Sequence, residues 1–129
     1  MIAVDTNIVV RLITKDDTAQ YRKVRRLFET EIIFVTDTVF LETAWVLSYT
    51  YKFDPKQITP ALRKLLGLPN IQVEDSDVLN NAMVWVDNGL DFADALHLAK
   101  SQSVNTLYTF DKQFAKRSHG MGDCSVTIL

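Results

Sequence analysis

The chain has 129 residues, a formal net charge of −2 and an apolar fraction of 47%. That length suits one domain with its own core, and the charge excludes a global pull toward nucleic acid, so such a partner would need a local basic patch. The lone cysteine, Cys124, excludes an internal disulfide or a cysteine-built zinc site and fits a reducing cytoplasm.

In chain order, Ile2-Ala3-Val4 reads as a short buried strand ending at Asp5, and Asn7 to Ile13 as a short apolar helix. Asp17 to Thr30 is a second helix, with Tyr21, Val24 and Phe28 on one face and Arg22, Lys23, Arg25 and Arg26 crowding the rest. Ile32 to Val35 is the next strand, followed by a strongly apolar helix from Thr38 to Tyr51. Asp54-Pro55 starts a helix, Asp as the cap and Pro at the first helical position, and Gly67 and Pro69 end it. Ile71 to Val73 is a strand. Asp75 or Ser76 caps a helix that buries Leu79, Ala82 and Met83 and closes at Gly89. A further helix covers Phe92 to Ser101, a strand Val104 to Thr109, a short helix or turn begins at Asp111, and Ser125 to Leu129 forms an edge strand.

Strands alternating with helices predict an α/β fold: one domain over residues 1–129, with a central parallel sheet of about five short strands and helices on both faces. In such sheets ligands bind beyond the carboxyl ends of the strands, where Asp5 and Asp111 fall. No apolar run nears the roughly 20 residues that span a bilayer. The opening Met1-Ile2-Ala3-Val4-Asp5 lacks the basic region of a signal peptide, so the expected compartment is the cytoplasm, away from membranes.

Four acids stand in apolar surroundings. Asp5 lies between Ile-Ala-Val and Thr-Asn-Ile-Val-Val, so partial burial is expected, and it serves either as a helix cap or as a functional carboxylate. Glu42 sits in Val-Phe-Leu-Glu-Thr-Ala-Trp, a helix expected to be buried on most sides; no capping box explains it, because Val39 stands three residues earlier. The other reading is a surface glutamate. Asp94 is embedded in Phe-Ala-Asp-Ala-Leu, with Asp91 three residues before it on the same first turn, where the helix dipole also favours acids. Asp111 follows Thr-Phe and is a cap or a ligand. Two carboxylates about 4 Å apart repel by about 4 kcal/mol at an effective dielectric near 20. Several can converge only if some hold protons or a cation sits among them, and oxygen-only ligands favour Mg²⁺ or Mn²⁺ over Zn²⁺.

In order and spacing these residues resemble the acidic signature of PIN-domain ribonucleases, in particular toxins of the VapC type. Val-Asp-Thr-Asn around Asp5 matches the first motif, Glu42 the second, Asp91-Phe-Ala-Asp94-Ala-Leu the third and Thr109-Phe-Asp111-Lys112 the fourth, across essentially the whole chain. The resemblance implies a Mg²⁺- or Mn²⁺-dependent endoribonuclease with Asp5, Glu42, Asp94 and Asp111 as catalytic acids. It also implies Asp91 as an accessory metal ligand, a homodimer, and a small cognate antitoxin through which operator DNA is bound.

Thr6, Asn7 and Thr109 have the chemistry to position water or phosphate, and Lys112 to meet RNA. The basic face from Arg22 to Arg26, with Arg11 and Lys15, would steer RNA backbone, bind an acidic antitoxin segment, or simply be solvated. His97 is expected to pack or hydrogen-bond, and Trp45, Trp85 and Phe92 to be core. A dehalogenase-type phosphatase would need an acid where Asn7 stands, and a receiver domain an acidic pair near Asp5. The remaining rival is a dimeric binding module with weak or absent cleavage, working in a DNA-binding regulatory complex.

Overall fold

Each apolar run expected as a strand forms one, and every strand pairs in parallel. In the computed structural model, which describes residues 1–129, the chain divides into two compact units, Met1–Glu74 and Asp75–Leu129. The first holds β1 (Ile2–Ala3), α1 (Thr6–Thr14), α2 (Thr18–Thr30), β2 (Ile33–Val35), α3 (Asp37–Tyr49), α4 (Pro55–Leu66) and β3 (Ile71–Val73). Its sheet runs β1-β2-β3, with Ile2 beside Ile33 and Ile33 beside Ile71. The second holds α5 (Ser76–Asp87), α6 (Phe92–Ala99), β4 (Thr106–Thr109), α7 (Lys112–Arg117) and β5 (Ser125–Ile128). There β4 and β5 pair, Thr106 beside Ser125 and Tyr108 beside Thr127.

The five strands are thus hydrogen-bonded as three and two. Strand β1 spans only two residues, and its ladder bonds go to β2, beginning with Ile2 N–H to the Ile32 carbonyl at 2.9 Å. No helix is long and apolar enough to cross a membrane.

Helical periodicity sets each core. In the first unit Val9, Val24, Phe28, Phe40, Leu47 and Leu62 are buried around Ile33 and Val35. In the second, Leu79, Met83 and Val86 of α5 lie in the core with Ala95 and Leu98 of α6, and Phe114 of α7 is buried as well. Fully burying one such side chain contributes about 1.5–3 kcal/mol. The expected roles of the large aromatics divide: Phe92 is buried, Trp85 is partly so, and Trp45 is 58% exposed, so Trp45 is not core. It stacks at a tilt on Tyr49, ring centroids 5.0 Å apart, on the outer face of α3.

The Asp54-Pro55 start behaves as its chemistry dictates. Gln57 N–H donates to Asp54 Oδ1 at 3.2 Å, and Asp54 N–H donates to Gln57 Oε1 at 3.0 Å, a reciprocal box with Pro55 in the first turn. Asp54→Ala is expected to cost about 1 kcal/mol, read as a fall in the urea midpoint.

Candidate functional site

The first unit carries two of the expected acids. Asp5 follows β1 in extended conformation (φ −93°, ψ −179°), and its Oδ1 accepts from Ile8 N–H at 3.4 Å, which makes it the cap of α1. It is exposed, contrary to the expected partial burial: a cap must turn its side chain back over the open end of its helix, and here that end faces water. Thr6, by contrast, is only 6% exposed, so of the two neighbours it is Asn7 that reaches solvent. Glu42 is also exposed. Helix α3 buries Phe40, Thr43, Ala44 and Leu47 on one side and turns Thr38, Glu42, Trp45 and Tyr49 outward. The expectation of a helix buried on most sides fails because Leu41 and Val46 are only half-buried and Trp45 faces out.

Sequence reasoning passed over Asp37, which is 4% exposed in the first turn of α3. Its backbone N–H donates to Glu74 Oε2 at 2.6 Å, so the Glu74 carboxylate, just past β3, sits on the first turn of α3. The available signal was position: each acid lies just past a predicted strand.

Arg11, expected to steer RNA, is partly exposed and engaged by three neighbours within the chain. Its Nη1 lies 2.9 Å from Asp16 Oδ1 and 3.0 Å from the Tyr51 hydroxyl, and its Nε donates to Gln20 Oε1 at 2.6 Å. Tyr51 donates in turn to Asp16 Oδ2 at 2.8 Å. Hydrogen bonds from Tyr51 and Thr14, and then the charge of Arg11, hold the Asp16 carboxyl below its ordinary range. On α2, Arg25 pairs with Glu29 at 2.9 Å, while Arg22, Lys23 and Arg26 are exposed.

The second unit carries the other three acids. Asp91 caps α6, its Oδ2 accepting from Ala93 N–H at 3.2 Å, and Asp94 is the third residue of that helix, half-buried. Asp111 caps α7: its Oδ1 accepts from Gln113 N–H at 2.9 Å and Phe114 N–H at 3.1 Å, while its own N–H donates to Thr109 Oγ1 at 3.0 Å. Thr109 therefore shapes the turn that presents Asp111. Asp94 borders a cleft of about 490 Å³ with Thr109, Tyr108 and Lys100. His97 lines the same cleft and is exposed. Lys112, the first residue of α7, is exposed but outside that lining.

Burial raises the Asp94 pKa above its ordinary value, and the negative charges of Asp91 and Asp111 raise it further, with His97 opposing them. Asp94 therefore feels the charge of both neighbouring acids. In neither unit do three acids, histidines or cysteines stand in metal-holding geometry. The donor chemistry of Asp91, Asp94 and Asp111 nevertheless fits a hard divalent cation: every donor is oxygen, and the central Asp94 is disfavoured as an anion by its two neighbours.

The folded pKa of Asp94 lies above 3.8, so the native state holds that proton more tightly than the unfolded chain. Its contribution to stability is present below 3.8 and is lost as pH rises through the folded pKa. Urea midpoints measured in EDTA should thus show wild type losing ground to Asp94→Asn as pH rises through that window.

A family model described as PIN domain matches residues 2–120. Two solved structures resemble the chain throughout. The VapC20 toxin of Mycobacterium tuberculosis, described as cleaving the sarcin-ricin loop, is 21% identical with a TM-score of 0.46, over 97% of this chain and 99% of that one. VapBC2 of Rickettsia felis, bound to a DNA fragment from its promoter, is 17% identical with a TM-score of 0.40, over 99% and 98%. No curated protein matches.

Proposed function

Because this chain belongs to the PIN-domain family, we propose that it is a toxin of the VapC type, an endoribonuclease that hydrolyses RNA phosphodiester bonds with Mg²⁺ or Mn²⁺ held by its carboxylates. The observation that carries this reading is the family match over residues 2–120, within which Asp5, Glu42, Asp91, Asp94 and Asp111 stand in the order of the family's acids. Asp94, Asp111, Asp5 and Glu42 are the proposed ligands, with Asp91 binding directly or through water. A divalent cation supplies, when bound, a water that ionises near neutral pH and positive charge for the scissile phosphate.

The chain's own residues do the rest. Capping α1 and α7 holds the Asp5 and Asp111 carboxylates on backbone N–H groups of their helices, so neither loses much rotamer freedom on binding. Asn7 is exposed beside Asp5 and orients water or phosphate there, and Thr109 holds the turn that presents Asp111. Thr6 acts from within α1. Lys112 and the exposed cations of α2 meet RNA phosphates. A small cognate antitoxin inhibits the enzyme and carries the pair to operator DNA, and the toxin works in the cytoplasm as a homodimer.

The test is cleavage of total RNA by purified, antitoxin-free protein in Mg²⁺ or Mn²⁺, against EDTA and Asp5→Asn controls. Metal-dependent cutting lost in Asp5→Asn supports the reading. Cutting that persists in EDTA rules out the mechanism, and no cutting of any cellular RNA favours the binding module.

A further inference from the structure

Between α1 and α2 the first unit has a cleft of about 490 Å³, within the usual size of small-ligand pockets. Ile8 and Val24 give it apolar wall, Asp5 and Asn7 lie along it, and Lys23 and Gln20 enter from α2.

The amide of Gln20 has only one sensible orientation. Arg11 Nε donates to Gln20 Oε1 at 2.6 Å, and a guanidinium carries donors alone, so the oxygen must face Arg11 and the amide nitrogen is left to donate. Arg11 is itself fixed by Asp16 at 2.9 Å and by the Tyr51 hydroxyl at 3.0 Å. The cleft therefore carries an N–H₂ donor whose direction is set before any ligand arrives, beside an apolar wall, a lysine and Asp5. An acidic peptide would bring its carboxylates against Asp5. A neutral base can lie on Ile8 and Val24, and its phosphate can reach Lys23.

We propose that this cleft is a base-recognition subsite for the RNA strand next to the scissile bond. In it Gln20 donates to a base carbonyl oxygen, and Arg11 is the residue that positions Gln20. The proposal rests on the nuclease reading above. Guanine, uracil and cytosine offer a carbonyl oxygen with two lone pairs, whereas adenine offers only ring nitrogens, of which N1 and N7 lie beside its own amino group. The subsite thus favours a carbonyl-bearing base over adenine at one position flanking the cut.

The experiment maps cut ends in total RNA treated with purified wild type, Gln20→Ala, Gln20→Glu and Arg11→Lys in Mg²⁺. Gln20 is exposed, so its variants keep the fold. Gln20→Ala should lower discrimination against adenine at a single position by about tenfold, the worth of one hydrogen bond. Arg11→Lys should do the same, since lysine lacks the guanidinium donor that orients the amide. Gln20→Glu, an acceptor in place of a donor, should shift the profile toward amino-bearing bases. Wild type that cuts nothing overturns the nuclease reading and this proposal with it. Wild type that cuts with the same base profile as both Gln20 variants overturns this proposal alone. So does a set of variants that differ from wild type only in antitoxin inhibition, which would assign the cleft to the protein partner.

Discussion

Asp94→Asn is expected to lower RNA cleavage on the order of 10²–10³-fold, the cost of removing one group that stabilises charge in a transition state, while leaving the fold no less stable at neutral pH. Asn has nearly the shape of Asp, so the first turn of α6 keeps its packing around Phe92 and Ala95. What changes is charge. The ionised Asp94 carboxylate is disfavoured first by burial and then by Asp91 and Asp111, so replacing it with a neutral amide removes an unfavourable interaction in the metal-free protein. Loss of activity with unchanged or raised stability marks a residue kept for chemistry. Multiple-turnover cleavage in Mg²⁺ and a urea titration in EDTA, on the same preparation, read both. A variant that loses stability and activity together would make Asp94 structural.

Phe40→Ala and Glu42→Gln should separate packing from chemistry on one helix. Phe40 is 1% exposed on the inner face of α3, and its truncation is expected to cost about 3–5 kcal/mol through lost burial and the cavity left behind. Glu42, two residues on, faces solvent, and its amide should leave stability within about 0.5 kcal/mol. If Glu42 is a ligand, Glu42→Gln nonetheless cuts poorly at saturating RNA, with activity partly restored at higher Mn²⁺. Full activity in Glu42→Gln would remove Glu42 from the ligand set.

The elements were legible wherever local chemistry alone decides them. Asp54-Pro55, Asp17 and Asp75 cap the helices that their sequence announces, and Gly89, at φ 111°, closes α5 as its missing Cβ permits. Ends shifted by a residue or two: α3 stops at Tyr49 where Tyr51 was expected, and β4 starts at Thr106 where Val104 was expected. Which face each side chain takes was less legible. In Val-Phe-Leu-Glu-Thr-Ala-Trp, successive residues are about 100° apart, so apolar neighbours in sequence do not enclose Glu42, and an exposed Trp45 reads the same as a buried one. The strand pairing of three and two was likewise not encoded in any one segment, because it depends on which edges find ladder partners. For the candidate site, the identities of Asp5, Glu42, Asp91, Asp94 and Asp111 came from spacing and resemblance. The electrostatic coupling of Asp94 to Asp91 and Asp111, the buried Asp37 and the Arg11 network needed coordinates, since each links residues through the fold.

The most direct measurement is a Mn²⁺ titration of the purified protein followed by electron paramagnetic resonance, which counts free and bound ion, on wild type and Asp94→Asn at neutral pH. The account predicts that wild type takes up Mn²⁺ over the range in which cleavage appears, and that the variant takes up markedly less and cuts correspondingly less. Equal uptake by both proteins, or cleavage that begins before any ion is bound, would contradict it.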